Sequence, residues 1–328
     1  MPNRLKTNNP VYLEALQNGK LDKAIDKLCK LLESCSICPR KCGVNRIKGE
    51  QGFCKTGSRP RVFSYMAHQG EEPAISGSSG SGTIFFSNCN MSCAYCQNYE
   101  FSQMGQGKEV SCEDLAKIML ELQEMGCHNI NLVSPTHVLA QILKSLKIAI
   151  SLGLKIPLVY NTGGYELTKI IKLLDGVVDI YLPDMRYADE DAAVKFSKAA
   201  GYPEYNRQAV REMFRQAGTA CMDGNGIIQR GIIIRHLVLP NNASGTDKIM
   251  EFIARELSVD TYISLMSQYL PYHRAAEFKE INRRLKLSEY DGAKKMMEKY
   301  GLHNGWVQES FGLERFAGVN IKSVLKNE

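Results

Sequence analysis

Thr83-Ile84-Phe85-Phe86-Ser87-Asn88-Cys89-Asn90-Met91-Ser92-Cys93-Ala94-Tyr95-Cys96-Gln97-Asn98 joins a short apolar run to three cysteines spaced Cys-x3-Cys-x2-Cys. The run Thr83 to Ser87 has the length and the aromatic and β-branched content of a buried strand, and the cysteines fall on the loop that leaves it. With 11 cysteines in 328 residues, chance supplies such a triplet on the order of 0.01 times. Three thiolates on one loop can hold three corners of an iron–sulfur cube and leave the fourth iron open to a ligand. Spacing alone also admits a zinc knuckle completed by a distant His or Cys.

Downstream of that loop, apolar runs suited to buried parallel strands alternate with helical segments, the signature of βα units. The strands are expected at Thr83 to Ser87, Asn129 to Val133, Ile156 to Tyr160, Val178 to Leu182, Ile232 to Leu239 and Tyr262 to Met266. Helices are expected at Cys112 to Met125, His137 to Ser151, Glu166 to Leu174, Glu190 to Ala199, Arg207 to Ala217 and Asp247 to Leu257. Six βα units predict an α/β fold, an open partial (β/α)6 barrel with a small N-terminal cysteine-rich segment. Upstream, Leu21, Ile25, Leu28 and Leu32 recur at helical spacing, so a helix is expected from Lys20 to Glu33. The run Gly77-Ser78-Ser79-Gly80-Ser81-Gly82 reads as a flexible connector and sets a boundary. Three parts follow: residues 1–76 with the N-terminal helix and four cysteines, 77–273 with the barrel, and 274–328 as a C-terminal helical extension. In that extension, helices are expected at Ala275 to Leu285 and Ser288 to Tyr300, with an irregular tail from Gly312.

A hydrophobic fraction of 44% with 23% charged residues is ordinary globular composition and excludes collagen-like, coiled-coil and wholly disordered chains. No run of 18 apolar residues occurs and no signal-peptide core follows the basic start, so a soluble cytoplasmic protein without a membrane partner is expected. The net charge of +6 falls short of a nucleic-acid footprint. Lys279 to Lys299 is basic, but its interleaved acids make it a solvated helical face.

The cluster loop, with Tyr95 before its last cysteine and its place after strand one of six βα units, resembles the radical S-adenosylmethionine (SAM) enzymes. Further segments resemble the PflX-type proteins, relatives of the pyruvate formate-lyase activating enzyme. They are Cys35-Ser36-Ile37-Cys38-Pro39-Arg40-Lys41-Cys42-Gly43, His68-Gln69-Gly70-Glu71-Glu72-Pro73, Ser134-Pro135-Thr136-His137, Tyr160-Asn161-Thr162-Gly163-Gly164-Tyr165 and Asp179 to Arg186. The resemblance implies a [4Fe-4S] cluster on Cys89, Cys93 and Cys96 whose open iron takes SAM. It implies reductive cleavage of SAM and abstraction of hydrogen from a substrate such as a glycyl residue of a partner protein. An electron donor such as flavodoxin or ferredoxin is implied as well. Among cofactor contacts it implies Tyr95, Asp184 and Arg186 after strand four, Thr162 and Gly164 after strand three, and His273 in Leu270-Pro271-Tyr272-His273. Ser134 and Thr136 stand where many members carry a Gly-Gly-Glu that holds the cofactor's amino group, so hydroxyls or carbonyls must serve there. Arg186 replaces a lysine, and Asn161 replaces an aspartate of the activating enzymes' monovalent-cation site. His137 reads as a helix-start residue, and no catalytic side chain is assigned.

A second set, Cys35-x2-Cys38-x3-Cys42-x11-Cys54, offers four thiols on a Pro/Gly-containing segment, enough to close a site around structural Zn²⁺ or an auxiliary [4Fe-4S] cluster. Iron–sulfur is preferred, and either group would staple a segment with little core of its own. Cys29, Cys112, Cys127 and Cys221 read as ordinary thiols. Glu71 and Glu72 read as solvated charges without chemistry, and the Gly/Ser run lacks the ending of a P-loop. The competing function is a non-catalytic iron–sulfur or zinc protein for electron transfer or RNA binding.

Overall fold

The computed structural model describes residues 9–308. The tail expected from Gly312 lies outside the described residues. Helices α1 (Val11–Gln17) and α2 (Lys20–Lys30) open the chain, followed by the irregular cysteine segment and strand β1 (Arg61–His68). Next come α3 (Pro73–Ser76), β2 (Ser81–Phe86), α4 (Tyr99–Ser102), β3 (Lys108–Glu109), α5 (Cys112–Glu124), β4 (Ile130–Val133), α6 (Leu139–Ser151), β5 (Leu158–Thr162), α7 (Thr168–Ile171) and β6 (Ile180–Pro183). The remaining elements are α8 (Glu190–Ser197), α9 (Tyr202–Ala217), β7 (Cys221–Met222), β8 (Ile228–Leu237), α10 (Thr246–Glu256), β9 (Tyr262–Met266), α11 (Leu287–Lys299) and β10 (Gly305–Val307).

One sheet runs in the order β10-β9-β8-β6-β5-β4-β2-β1-β3. Strands β2, β4, β5, β6, β8, β9 and β10 are parallel neighbours, while β1 pairs antiparallel with β2 and β3 antiparallel with β1. The six expected strands are all present, in an open α/β barrel, and β10 adds a seventh parallel member. Strand β5 starts two residues later than expected because Pro157 has no N–H to give to a ladder; its carbonyl accepts from Ile130 N instead. The helices form for local reasons that the core then completes. In α5, the Ser111 hydroxyl accepts from Asp114 N at 3.0 Å, Glu113 and Asp114 occupy the first turn, and Leu115, Met119 and Leu122 make the buried stripe. Removing the Ser111 cap costs about 1 kcal/mol.

Three expectations need correction. The Gly/Ser run is no flexible connector: Ser81 and Gly82 begin β2, with Ser81 paired to His68. A Cβ at Gly82 would stand 2.6 Å from the Asn129 carbonyl, so strand proximity, not flexibility, requires this glycine. The boundary at 77 therefore falls between two paired strands of one sheet. The helix expected at Ala275 to Leu285 is a single turn, Ala275–Glu277. Phe278 is extended there, and the carbonyls of Glu280 and Ile281 accept from Asn241 Nδ2 and the Tyr269 hydroxyl, leaving no helical ladder. Glu166 precedes helix α7 instead of opening it, and points inward.

The N-terminal helices are tied to the barrel by polar contacts across the chain. Val11 N donates to Asp179 Oδ1 at 2.7 Å, and the buried Tyr12 hydroxyl donates to the Ile156 carbonyl at 2.8 Å. Inside the barrel, Ala74 and Ile75 of α3 pack on Val159, Ile180, Leu182, Ile228 and Ile233 and stop its lower end. The carboxyl ends of the strands lie above this plug, where parallel sheets collect functional groups.

Candidate functional site

Strand β2 delivers the cysteine loop over the carboxyl ends of the neighbouring strands. Asn88 turns the chain at φ 71°, and Asn90 Nδ2 anchors the loop on the Tyr165 carbonyl at 2.7 Å. Every thiol has a polar neighbour. Met91 N donates to Cys89 Sγ at 3.4 Å, Ser197 Oγ to Cys93 Sγ at 3.0 Å and Arg186 Nη1 to the same sulfur at 3.2 Å. Ser102 Oγ lies 3.2 Å from Cys96 Sγ. Tyr95, Tyr187 and Ser197 form a hydroxyl chain, 2.7 Å at each link, that ends on Cys93.

Burial, and after it the neighbouring Cys93, pushes the Cys89 thiol up to about 12, and burial raises Cys96 as well. Binding of a metal by such thiols would release their protons, which would tie the site to pH. Among the described residues no group of three or more His, Cys, Asp or Glu side chains is arranged to hold a metal ion. The fit of an iron–sulfur group therefore rests on the donor set: three thiols on one loop, with N–H or O–H groups beside each sulfur, meet what thiolate ligands require.

A cavity of about 230 Å³ opens beside the loop. Tyr95, Cys96, Asp184 and Arg186 share its wall with Arg235, Glu71 and Glu72. Asp184 is the hub. Arg186 donates to its Oδ2 from Nε at 3.0 Å and Nη2 at 2.5 Å, and Arg235 Nε donates to Oδ1 at 2.8 Å. Burial opposes the charge on Asp184, but Arg235 and then Arg186 outweigh it and hold the carboxyl below its usual range. Arg235 also donates from Nη2 to Asn161 Oδ1 at 2.6 Å, so this side-chain carbonyl has a guanidinium partner.

The other expected contacts lie apart from this cavity. Thr136 and Thr162 donate their hydroxyls to Glu166 Oε1 at 2.5 and 2.6 Å, and Tyr160 joins them at 3.2 Å. Burial raises the Glu166 carboxyl to about 7 against these hydrogen bonds. Ser134 adopts φ 57°, and its N–H donates to the Asn161 carbonyl. Gly164, at φ 76°, approaches so near that a Cβ would meet the Asp184 carbonyl at 2.4 Å. His273 stacks on Tyr99 with ring centroids 4.5 Å apart. His137 lies in the turn just before α6, fully enclosed, and donates from Nε2 to the Ser87 carbonyl at 2.8 Å.

Cys35, Cys38, Cys42 and Cys54 converge on one nearly closed cavity with Arg46 and His137. Phe53 N donates to Cys42 Sγ at 3.4 Å, and a Cβ at Gly52 would lie 2.7 Å from that sulfur. The segment touches the first loop through Arg40, whose Nε donates to the Asn90 carbonyl at 3.0 Å.

Glu71 and Glu72 correct the sequence reading. Neither is solvated: both are enclosed in the cavity wall, and Glu71 Oε2 lies 3.5 Å from Arg235 Nη1. Arg235 and Glu166 were also missed. The alternation along β8, which turns Arg235 inward beside Ile233 and Leu237, was the one signal that pointed to it.

The sequence model described as the Radical SAM superfamily matches residues 83–253. An uncharacterized protein of Methanocaldococcus jannaschii is 32% identical over 300 residues, 88% of this chain and 82% of its own. Among solved structures, a radical SAM methyltransferase from Sphaerobacter thermophilus aligns at 13% identity over 71% of this chain and 67% of its own, with a TM-score of 0.45. Methylornithine synthase aligns at 14% identity over 75% and 79%, also with a TM-score of 0.45.

Proposed function

This chain belongs to the radical SAM superfamily, and from that premise we propose an activating-enzyme-like role, the abstraction of hydrogen from a glycyl residue of a partner protein. When bound, the [4Fe-4S] cluster and SAM supply the reductive cleavage and the radical that family membership implies. Cys89, Cys93 and Cys96 hold the cluster. Arg186 and Ser197 donate to the Cys93 sulfur and hold it in place on the loop. Asp184, kept charged by two guanidiniums, orients Arg186 toward that sulfur. Tyr95 and Tyr187 exclude water behind the loop while satisfying each other's hydroxyls. The contacts assigned to SAM are Tyr95, Asp184 and Arg186 in the cavity and, apart from it, Ser134, Thr136, Thr162 and Gly164 around the ends of β4 and β5 and His273 in the loop after β9. The observation that carries the reading is the single cavity wall shared by Cys96, Tyr95, Asp184 and Arg186.

Cys35, Cys38, Cys42 and Cys54 hold a second [4Fe-4S] cluster, with structural zinc as the other occupant, and a flavodoxin or ferredoxin supplies the electron. Anaerobic reconstitution of the wild type and Cys93→Ala, with iron and zinc counted and 5′-deoxyadenosine assayed after reduction with SAM, tests this. The expected result is about eight irons and cleavage that depends on Cys93. About four irons with zinc would assign zinc to the N-terminal cysteines. Intact clusters without cleavage under several reductants would overturn the enzymatic reading in favour of a non-catalytic metal protein.

A further inference from the structure

Glu71 and Glu72 enter the barrel just ahead of the α3 plug and line the cavity above it. The wall opposite is set by strand register. Asp184 lies beside Arg235, Arg235 opposite Ser264 and Ser264 opposite Trp306, four side chains on one level across the sheet. The charges on this level do not balance. Asp184 engages both guanidiniums, and Glu71 lies 3.5 Å from Arg235 Nη1. Glu72 is only 8% exposed and its Oε2 has no hydrogen-bond partner. Three carboxylates thus face two guanidiniums in a site largely withdrawn from water, where an unpaired charge is costly. Burial raises both glutamic carboxyls, and a cation seated beside them would reverse that shift.

The remaining walls indicate what kind of cation belongs there. Leu237, Met266, Tyr269, Leu270 and Trp306 offer apolar surface around the carboxylates, which suits an alkyl stem carrying a charged head better than a hydrated metal ion. Trp306 adds an aromatic face to the same wall. We propose that Glu71 and Glu72 form a substrate subsite for an organic cation, an alkylammonium or guanidinium group, with Glu72 Oε2 as its open acceptor. Its catalytic meaning rests on the radical SAM reading; its binding chemistry does not.

Trp306 is the chain's one tryptophan, so its fluorescence reports on this cavity. Cluster-loaded, SAM-saturated, unreduced protein is titrated anaerobically with n-butylguanidinium, n-butylammonium and n-butanol, by calorimetry and by Trp306 emission. The expected result is that both cations bind at least about tenfold tighter than butanol and shift the emission. Glu72→Gln weakens them about tenfold, Glu72→Asp restores part of the affinity, and the Kd for SAM stays within about twofold. Cations that bind no better than butanol, or that keep their affinity and emission shift in Glu72→Gln, overturn the proposal. Loss of SAM affinity in Glu72→Gln with the butyl cations unaffected would assign the subsite to the ammonium of SAM and equally overturn it. If circular dichroism shows Glu72→Gln unfolded, Glu71→Gln is read by the same criteria. Reduced wild type that makes no 5′-deoxyadenosine while still binding the cations would sink the radical reading and leave the subsite standing.

Discussion

Arg186 spans two kinds of partner at once: its Nη1 lies 3.2 Å from the Cys93 sulfur while its Nε and Nη2 grip Asp184 Oδ2. A guanidinium so placed joins the cysteine loop to the end of β6, and Ser197 gives the same sulfur a second donor from the end of α8. Arg186→Gln keeps the barrel, because Arg235 still pairs with Asp184. Breaking one of two buried partners costs up to about 3 kcal/mol in urea unfolding of the metal-free protein. Reconstituted Arg186→Gln is also expected to lose iron to a chelator faster than wild type. Equal rates would show that the Arg186 contact to Cys93 does not help retain the iron.

Glu166 gives a pH prediction. Its carboxyl is raised to about 7 in the folded protein by burial, above its unfolded value of roughly 4.3. Between those values the folded state binds more protons than the unfolded one, so wild-type stability falls as pH rises through this window. Glu166→Gln lacks that loss. Urea unfolding of the two metal-free proteins should show the variant gaining on wild type from about pH 4.5 to 7, then levelling off. Asp179, also raised to about 7 by burial, cancels in the difference. A flat difference across this range would mean that Glu166 is ionised throughout.

Gly82→Ala places a methyl against the Asn129 carbonyl, a backbone atom that cannot swing aside. The cost expected in chemical unfolding is roughly 1–3 kcal/mol. Gly224, with open space around the added atom, tolerates alanine within about 0.5 kcal/mol.

Arg40 links the N-terminal cysteines to the cluster loop. Its guanidinium lies 3.6 Å from the Phe53 ring centroid and donates to the Asn90 carbonyl. Arg40→Met keeps the packing and removes the donor. Hydrogen exchange by mass spectrometry should then show faster exchange over residues 89–96 with unchanged exchange over residues 35–54. Slower or equal exchange would mean that Arg40 only packs.

The strands could be read from sequence because a parallel strand buried on both faces leaves a local apolar run, as Ile180–Pro183 does. The thiols could be read because all three, Cys89, Cys93 and Cys96, fall close together on one loop. Arg235 and Glu71 could not, since no spacing rule relates residues that meet only after the sheet has curled and α3 has entered it. Two adjacent glutamates look solvated by composition, and only the plug beneath them shows otherwise. Thr136 and Thr162 enter separately, each through a segment that resembles a family motif after a different strand, and nothing local joins them to their shared partner, Glu166, which reads as the first residue of a helix.

The attachment of α1 also sets a timetable for synthesis. Val11 waits for Asp179 and Tyr12 for Ile156, partners 168 and 144 residues further along the chain. At about 5–20 residues per second, the first helix leaves the ribosome roughly ten to thirty seconds before its docking surface exists. During that interval its apolar face, with Tyr12 and Ala15, is open to chaperones, and the cysteine segment is exposed to whatever metal the surroundings offer.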